Sequence, residues 1–366
     1  MKIIILIAIL CCGVYMYYQA NTEQVPVLPA STTPASKYTL DVNYMRSLLH
    51  NKDQMVYDQI YEALLKQTSE IQIDQQTTED IVSIYQSVLK DHPQIFWVNG
   101  LQYREVKKYG TFQYFILYPT YIMTQEEVEQ KNMQLEQLTD TILEPIRLST
   151  STYEKVKYVY DYIIDHCEYV VDSKHNQNIL SVLEYGQSVC AGYAKTAQYL
   201  LQKLGIRCAY ITGKSLKQGV EHAWNLIEID DSYVYMDTTW GDPLSNQLYN
   251  KTYAYFMMTL EEVLSLYAPN EKLPTPLKEE ISYYRKENAY FTQYDEEQIL
   301  TLMKKAINEQ QPFIELKCQD EATRLAIQTI LFDEQKVGVL LRRCGVSLPS
   351  ISYYINEELQ VIKIML

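Results

Sequence analysis

Residues 184–205, EYGQSVCAGYAKTAQYLLQKLG, place a cysteine where a loop runs into a helix. Apolar residues recur at helical spacing after Cys190, and Gly205 is a typical helix stop, so the pattern predicts a helix over 190–203. A thiol at a helix N-terminus lies at the positive end of the helix dipole, which favours the thiolate. Because the thiolate is the nucleophilic form, this position suits a cysteine that attacks a carbonyl group.

Two predicted strands downstream can supply a base and an orienting carboxylate. Residues 222–229 and 233–238 have strand patterning and are separated by a short polar turn. In an antiparallel hairpin that turns at Asp230 and Asp231, His222 and Asp237 are diagonal neighbours on one face, with about 7–8 Å between their Cα atoms. A three-residue loop or a bulge would put them on opposite faces. The hairpin therefore predicts a catalytic set of Cys190, His222 and Asp237.

Each of these three residues also has a purely structural interpretation. Cys190 could be a small buried hydrophobe, since unpaired cysteines are often buried. His222 could be a surface histidine, and Asp237 could belong to the turn that continues to Gly241. The catalytic hypothesis is favoured because the three residue types fall in register with one another.

Three further residues are candidates for an oxyanion site or a pocket wall: Gln187, Trp224 and Trp240. Gln187 reaches an oxyanion position only if its loop folds back, and the backbone N–H of Cys190 is the alternative donor. Trp224 and Trp240 are expected in the core or in the pocket wall.

Four sequence blocks together resemble the transglutaminase-like superfamily, in its bacterial extracytoplasmic branch. The blocks are VCAGYA (189–194), LGI (204–206), HAWN (222–225) and DTTW (237–240). They fall in the family's order, with 32 residues from Cys190 to His222 and 15 from His222 to Asp237. The resemblance covers about 150–245. It implies an α+β fold with a papain-like core, in which the helix that bears the cysteine packs on an antiparallel sheet.

The resemblance also implies a function. Cys190 would be the nucleophile, His222 the base and acid, and Asp237 the residue that orients the imidazole. The expected activity is thiol acyl transfer on amide or peptide bonds of extracytoplasmic proteins or peptides, as a peptidase, an amidase or a cross-linking enzyme. The alternative is a catalytically silent, surface-tethered binding module. The sequence departs from the animal cross-linking enzymes, which have Gln and Trp where this chain has Val189 and Ala191.

The amino-acid composition, the net charge and the cysteine spacing exclude some classes of partner and cofactor. The chain has 366 residues, of which 47% are hydrophobic and 21% charged, so wholesale disorder is excluded. A net charge of −14 argues against nucleic acid as a partner. Five cysteines lie outside the N-terminal apolar run, at positions 167, 190, 208, 318 and 344, and they form no CxxC pair. We therefore expect no zinc site, no cofactor, and at least one thiol outside any disulfide.

The N-terminus predicts the location of the protein. Residues 3–18 contain no charged side chain, so residues 1–20 are expected to be a membrane anchor, with a cleaved signal segment as the alternative. Residues 21–37, rich in Pro, Ser and Thr, are expected to form a stalk. The folded body would then lie outside the cytoplasm at the cell membrane, or be secreted.

Three folded units are expected behind the stalk. Residues 38–147 are predicted to form an accessory α/β unit, residues 148–275 the catalytic domain and residues 285–366 a small C-terminal α+β unit. In the accessory unit, the apolar run Ile95–Val98 has the pattern of a buried strand.

Overall fold

The computed structural model of the protein describes residues 40–149, 151–230, 232–242, 251–275, 281–348 and 350–366. The predicted anchor (1–20) and stalk (21–37) lie outside these ranges. Within them, no helix combines the length and the apolar character needed to cross a membrane.

The helices and strands alternate irregularly along the chain. The helices are α1 (Tyr44–Leu48), α2 (Asn51–Leu65), α3 (Ile81–Asp91), α4 (Gln125–Leu143), α5 (Thr152–His166), α6 (Leu180–Leu183), α7 (Cys190–Lys203), α8 (Leu260–Leu266), α9 (Tyr283–Lys286), α10 (Glu296–Asn308), α11 (Glu321–Gln328) and α12 (Lys336–Arg343), with a π-helical turn at Thr329–Asp333. The strands are β1 (Ile71–Ile73), β2 (Val98–Lys108), β3 (Thr111–Tyr121), β4 (Glu168–Tyr169), β5 (Gln187–Ser188), β6 (Cys208–Ser215), β7 (Glu221–Ile229), β8 (Ser232–Met236), β9 (Tyr267–Pro269), β10 (Tyr290–Phe291), β11 (Phe313–Cys318), β12 (Tyr353–Asn356) and β13 (Val361–Met365).

The central sheet has the strand order β8-β7-β6-β9, and all of its neighbouring strands are antiparallel. Helix α7 packs against β6 and β7, and the Asn225 side chain on β7 donates a hydrogen bond of 2.9 Å to the Ala194 carbonyl on α7. A helix that begins at the cysteine and packs on an antiparallel sheet is the α+β arrangement that the sequence predicts.

The β7–β8 hairpin has the predicted register. Asn225 pairs with Met236 and Ile229 with Ser232, so the loop contains two residues. The first of them, Asp230, has φ 49°, as a tight two-residue turn requires. Asp237 therefore follows β8 directly, at the end of the sheet where His222 lies as the second residue of β7.

The N-terminal unit corrects one predicted strand. A three-stranded sheet of order β1-β3-β2 packs with α2, α3 and α4, but the run Ile95–Trp97 is a buried turn and β2 begins only at Val98. Phe96 is fully buried, and the Trp97 Nε1 donates to the Leu64 carbonyl at 3.3 Å. A short apolar run fills a core equally well as strand or turn, because its pattern carries no periodicity to separate them.

The boundary between the accessory unit and the catalytic domain stays a prediction. One cluster of buried side chains extends from Val56 to Met257, so residues of both predicted units share it. The C-terminal sheet, of order β10-β11-β13-β12, has its own buried cluster from Phe291 to Ile364, which includes side chains of α10, α11 and α12.

Candidate active site

His222 and Asp237 form a buried hydrogen-bonded pair. The His222 Nε2 lies 2.6 Å from the Asp237 Oδ2. The histidine is 4% exposed and the aspartate 0%. A buried carboxylate that accepts from one ring nitrogen fixes both the orientation of the imidazole and the nitrogen that carries its proton.

Asp237 accepts three further hydrogen bonds. Its Oδ1 accepts from the backbone N–H groups of Thr239 at 2.9 Å and Trp240 at 3.0 Å. Its Oδ2 also accepts from the Tyr267 hydroxyl at 2.6 Å. Four donors converge on one buried carboxyl group, and this is the environment in which an ionised carboxylate is stabilised away from water.

Tyr267 is a site residue that the sequence reasoning missed. It is the first residue of β9, where it pairs with Ser215 of β6, and its ring stacks on Trp224 with 4.5 Å between centroids. Burial, followed by the nearby Asp237 carboxylate, raises the pKa of Tyr267 well above its ordinary value, so the hydroxyl remains a donor. The residue type gave no signal, because the chain contains 34 tyrosines.

Cys190 is the first residue of α7 and is 1% exposed. Gly192, in the first turn of the helix, allows close packing there. A Cβ at Gly192 would lie 1.9 Å from the Ser188 Oγ and 2.4 Å from the Ser181 Oγ, and these two hydroxyls are hydrogen-bonded to each other at 2.7 Å. The glycine of the VCAGYA block thus allows the start of α7 to pack on the serine pair.

Cys190 and His222 line one cavity of about 690 Å³. The other lining residues come from four regions of the chain: Tyr169; Gln218, Val220 and Glu221; Thr239, Trp240, Asp242, Thr252 and Tyr255; and Glu315, Tyr354, Ile355, Asn356, Val361 and Lys363. The cavity therefore brings the predicted nucleophile and base to a common space that a substrate can occupy.

The three candidate pocket residues occupy different environments. Trp240 is in the cavity wall, and its ring meets that of His222 edge-on at 5.8 Å. Trp224 is fully buried behind His222 and does not line the cavity. Gln187 is exposed and also lies outside the cavity lining, because β5 pairs with β4 through Gln187 and Glu168 at the surface. Gln187, a candidate only if its loop folds back, thus does not line the cavity.

Residues 140–238 match the sequence model of the Transglutaminase-like superfamily. The chain contains a transglutaminase-like domain. The domain includes Cys190, His222 and Asp237, whereas Trp240, Tyr267 and the cavity residues of the C-terminal unit lie beyond the matched range.

Part of the chain is also similar to part of kyphoscoliosis peptidase. The mouse protein is 24% and the human protein 23% identical over 134 residues, which are 32% of this chain and 20% of each relative. The chain thus spans about a fifth of the length of these curated relatives.

Solved structures also show partial likeness to the chain. A crystal structure of a TGase is 17% identical with a TM-score of 0.28, covering 46% of this chain and 51% of that one. The periplasmic domain of TgpA from Pseudomonas aeruginosa, bound to ethylmercury, is 14% identical with a TM-score of 0.24, covering 38% of this chain and 65% of that one.

A second acidic side chain, that of Asp242, lies in the wall of the cavity that contains Cys190 and His222. The Asp242 Oδ2 is 2.7 Å from the Tyr193 hydroxyl, and burial raises the pKa of Asp242 to about 6. This carboxyl group is separate from the His222–Asp237 pair.

The other cysteines lie in different surroundings. None of the five cysteines in the described ranges forms a disulfide. Burial raises the pKa of both Cys167 and Cys318 to about 12, and it raises the pKa of Cys208 as well. Thiols of this kind are almost entirely protonated at neutral pH and react slowly. No group of three or more His, Cys, Asp or Glu side chains in the described part of the chain is arranged to hold a metal ion.

Proposed function

We propose that this protein is a thiol acyl-transfer enzyme that acts on amide or peptide bonds, with Cys190 as nucleophile, His222 as base and acid, and Asp237 as the orienting carboxylate. The observation that carries the proposal is the buried His222–Asp237 hydrogen bond of 2.6 Å beside a cavity that Cys190 also lines.

The hydrogen bond to Asp237 assigns a role to each ring nitrogen of His222. With its proton on Nε2, directed at Asp237, the imidazole has a lone pair on Nδ1. Nδ1 is then the nitrogen that takes the proton of the Cys190 thiol, and the Sγ attacks the carbonyl carbon of the substrate amide. The backbone N–H of Cys190, in the first turn of α7, is the donor for the developing oxyanion.

The amide bond then breaks and leaves an acyl group on the Cys190 Sγ. The imidazolium of His222 gives its proton to the departing amine, which balances the proton taken from the thiol. Water or a second amine attacks the thioester carbonyl, with His222 again as base, and releases either an acid or a new amide. Hydrolysis and transfer use the same three side chains.

The substrate class and the location are part of the proposal. We expect the substrates to be proteins or peptides outside the cytoplasm. Residues 1–20 would anchor the folded part of the chain to the membrane, on the side where these substrates are found. The support for this location is the uncharged apolar run in the sequence.

The test compares single variants on an unfolded protein substrate such as denatured casein. New amino termini report peptidase activity, released ammonia reports amidase activity, and incorporation of a fluorescent primary amine reports transfer. Cys190→Ala and His222→Ala should each lower all activity to background, because members of a triad act as a unit. The control is Cys344→Ala, which removes a partly exposed thiol that does not line the cavity.

Two results would contradict the catalytic assignment. One is full activity in Cys190→Ala on a substrate that the wild type processes. The other is a wild type that processes no amide substrate but binds a peptide ligand that Cys190→Ala and His222→Ala bind equally well, which would favour the binding module.

A further inference from the structure

The C-terminal sheet has two faces with different roles. Ile314, Leu316, Ile362 and Ile364 pack with the C-terminal helices in one buried cluster. Because side chains alternate along a strand, the residues between them point to the other face. There, Glu315, Val361 and Lys363 line the cavity that contains Cys190. The C-terminal unit is therefore a wall of the candidate active site.

Strand β12 is an edge strand of this sheet, paired only with β13 among the described strands. The Met365 N–H donates to the Ser352 carbonyl at 3.0 Å. Hydrogen-bonded pairs alternate along an antiparallel ladder, so Tyr354, opposite Lys363, also bonds towards β13. Ile355, between two such positions, directs its N–H and C=O away from β13 to the free edge.

This free edge borders the cavity. Three consecutive residues, Tyr354, Ile355 and Asn356, line it. Side chains of consecutive strand residues point to opposite faces, and that of Ile355 packs with the C-terminal cluster. The cavity therefore meets the edge of β12 and not only one face of it.

A loop of the central sheet also borders the cavity. Gln218 and Val220, in the β6–β7 loop, and Glu221, the first residue of β7, line it. Lys217 and Glu358 form an ion pair of 2.9 Å that joins the β6–β7 loop to the β12–β13 turn. The β6–β7 loop and the edge of β12 therefore both border the cavity that Cys190 lines.

We propose that an extended peptide pairs with the free edge of β12 and thereby presents one of its amides to Cys190. This inference rests on the proposed function and specifies its substrate as a strand-like segment bound mainly through its backbone. An unpaired strand edge offers alternating donors and acceptors that match an extended peptide backbone, and strand addition is a common mode of peptide recognition. Tyr354 lines the cavity beside this edge and can contact side chains of such a peptide, whereas the Asn356 side chain is held by its hydrogen bond to the Tyr255 hydroxyl at 3.2 Å.

The experiment uses the full chain and irreversible labelling of Cys190 by electrophiles of two sizes. Iodoacetamide is too small to pair with β12, whereas an acetylated tetra-alanine chloromethyl ketone can do so. Each forms a thioether on Sγ with loss of iodide or chloride. Two analogues of the peptide probe are N-methylated at alternate residues, one at odd and one at even positions. Rates of labelling at Cys190 are measured by mass spectrometry.

Pairing with a single strand edge predicts an alternation. One N-methylated analogue should label Cys190 about tenfold more slowly than the parent probe, because it lacks an N–H that donates to β12 and loses about one hydrogen bond of binding free energy. The labelling rate of the other analogue should change much less, because its methyl groups lie on the N–H groups that point away from β12. Ile355→Pro removes the outward N–H without removing a bond to β13, and edge strands tolerate proline at such positions. It should slow the parent probe by a similar factor, whereas Ile355→Ala, which keeps the N–H, should not.

The outcomes separate this inference from the function on which it rests. Equal rates for the parent and both methylated analogues on the wild type would overturn the pairing, and this comparison holds even if Ile355→Pro fails to fold. Normal iodoacetamide labelling with no difference between Ile355→Pro and Ile355→Ala would also overturn it. If iodoacetamide labels Cys190 no faster in the wild type than in His222→Ala, the proposed function and the pairing both fail.

Discussion

Replacement of Asp237 by asparagine should damage the site far more than a nearly isosteric change suggests. The carboxyl group accepts four hydrogen bonds, two at each oxygen. An asparagine keeps one oxygen and presents an NH₂ group at the other position. If the oxygen keeps the backbone N–H groups of Thr239 and Trp240, the NH₂ group faces the His222 Nε2 and the Tyr267 hydroxyl.

The two facing groups respond differently to this change. The Tyr267 hydroxyl can rotate and accept, but the His222 Nε2 can accept only if the ring proton moves to Nδ1. In that tautomer Nδ1 cannot take a proton from Cys190, so we expect the rate of acyl transfer to fall roughly 10³- to 10⁴-fold. Loss of one hydrogen bond to a charged group should also lower the free energy of unfolding by about 1.5–3 kcal/mol.

Activity on a protein substrate, corrected for the folded fraction, measures the first effect, and urea unfolding measures the second. Asp53→Asn is the matched control. Asp53 is equally buried and accepts from the backbone N–H groups of Thr78 and Glu79 at 2.9 and 3.1 Å, outside the cavity. It should lose stability but keep its rate. A rate in Asp237→Asn within threefold of the wild type would refute the role given to the carboxylate.

Three further predictions concern the packing, the pH dependence and the N-terminus. Gly213→Ala should lower the free energy of unfolding by about 1–3 kcal/mol in urea titrations, because its Cβ would lie 2.3 Å from the Ala268 carbonyl oxygen on β9. Burial raises the pKa of Asp242 in the folded protein to about 6, so the stability that the protonated carboxyl group contributes at pH 4 is lost as the pH rises through 6. Asp242→Asn has no such group, so its free energy of unfolding relative to that of the wild type should increase from pH 4 to pH 7. Residues 1–20 should hold the full chain in the membrane fraction through an alkaline wash.

Each of these predictions has a control or a contradicting result. Gly338→Ala is the control for Gly213→Ala. The added Cβ would lie 3.6 Å from its nearest neighbour, the Arg342 Nη1, so the free energy of unfolding should be nearly unchanged or increased. A difference in the free energy of unfolding between Asp242→Asn and the wild type that stays constant across pH 4–7 would contradict a raised pKa of the Asp242 carboxyl group. Release of a soluble chain that begins near Asn21 would contradict membrane retention and restore the signal-segment interpretation.

Local patterns predicted the helix of the nucleophile and the hairpin well. The helix over 190–203 and the register that places His222 beside Asp237 both depend on residues close in sequence. Side-chain periodicity and turn length are sufficient to specify such features.

The remaining parts of the site depend on contacts between distant segments. Tyr267 reaches Asp237 because β9 joins the far edge of the sheet beside β6, a pairing that no local pattern specifies. The C-terminal wall of the cavity, with Tyr354 and Lys363, likewise depends on how two sheets pack. The buried turn at Ile95–Trp97 failed as a strand prediction because burial alone does not determine backbone conformation.

The coupling between Cys190 and His222 is the central claim, and one rate constant tests it most directly. Alkylation of Cys190 by iodoacetamide is measured at pH 6.5 in the wild type and in His222→Ala, with the labelled residue identified by mass spectrometry. Ordinary thiols are almost entirely protonated at this pH, and the helix N-terminus is the same in both proteins, so a difference between their labelling rates reports a base that holds the thiol proton. We predict a rate at least roughly tenfold higher in the wild type than in His222→Ala. Equal rates in two folded proteins would contradict the claim.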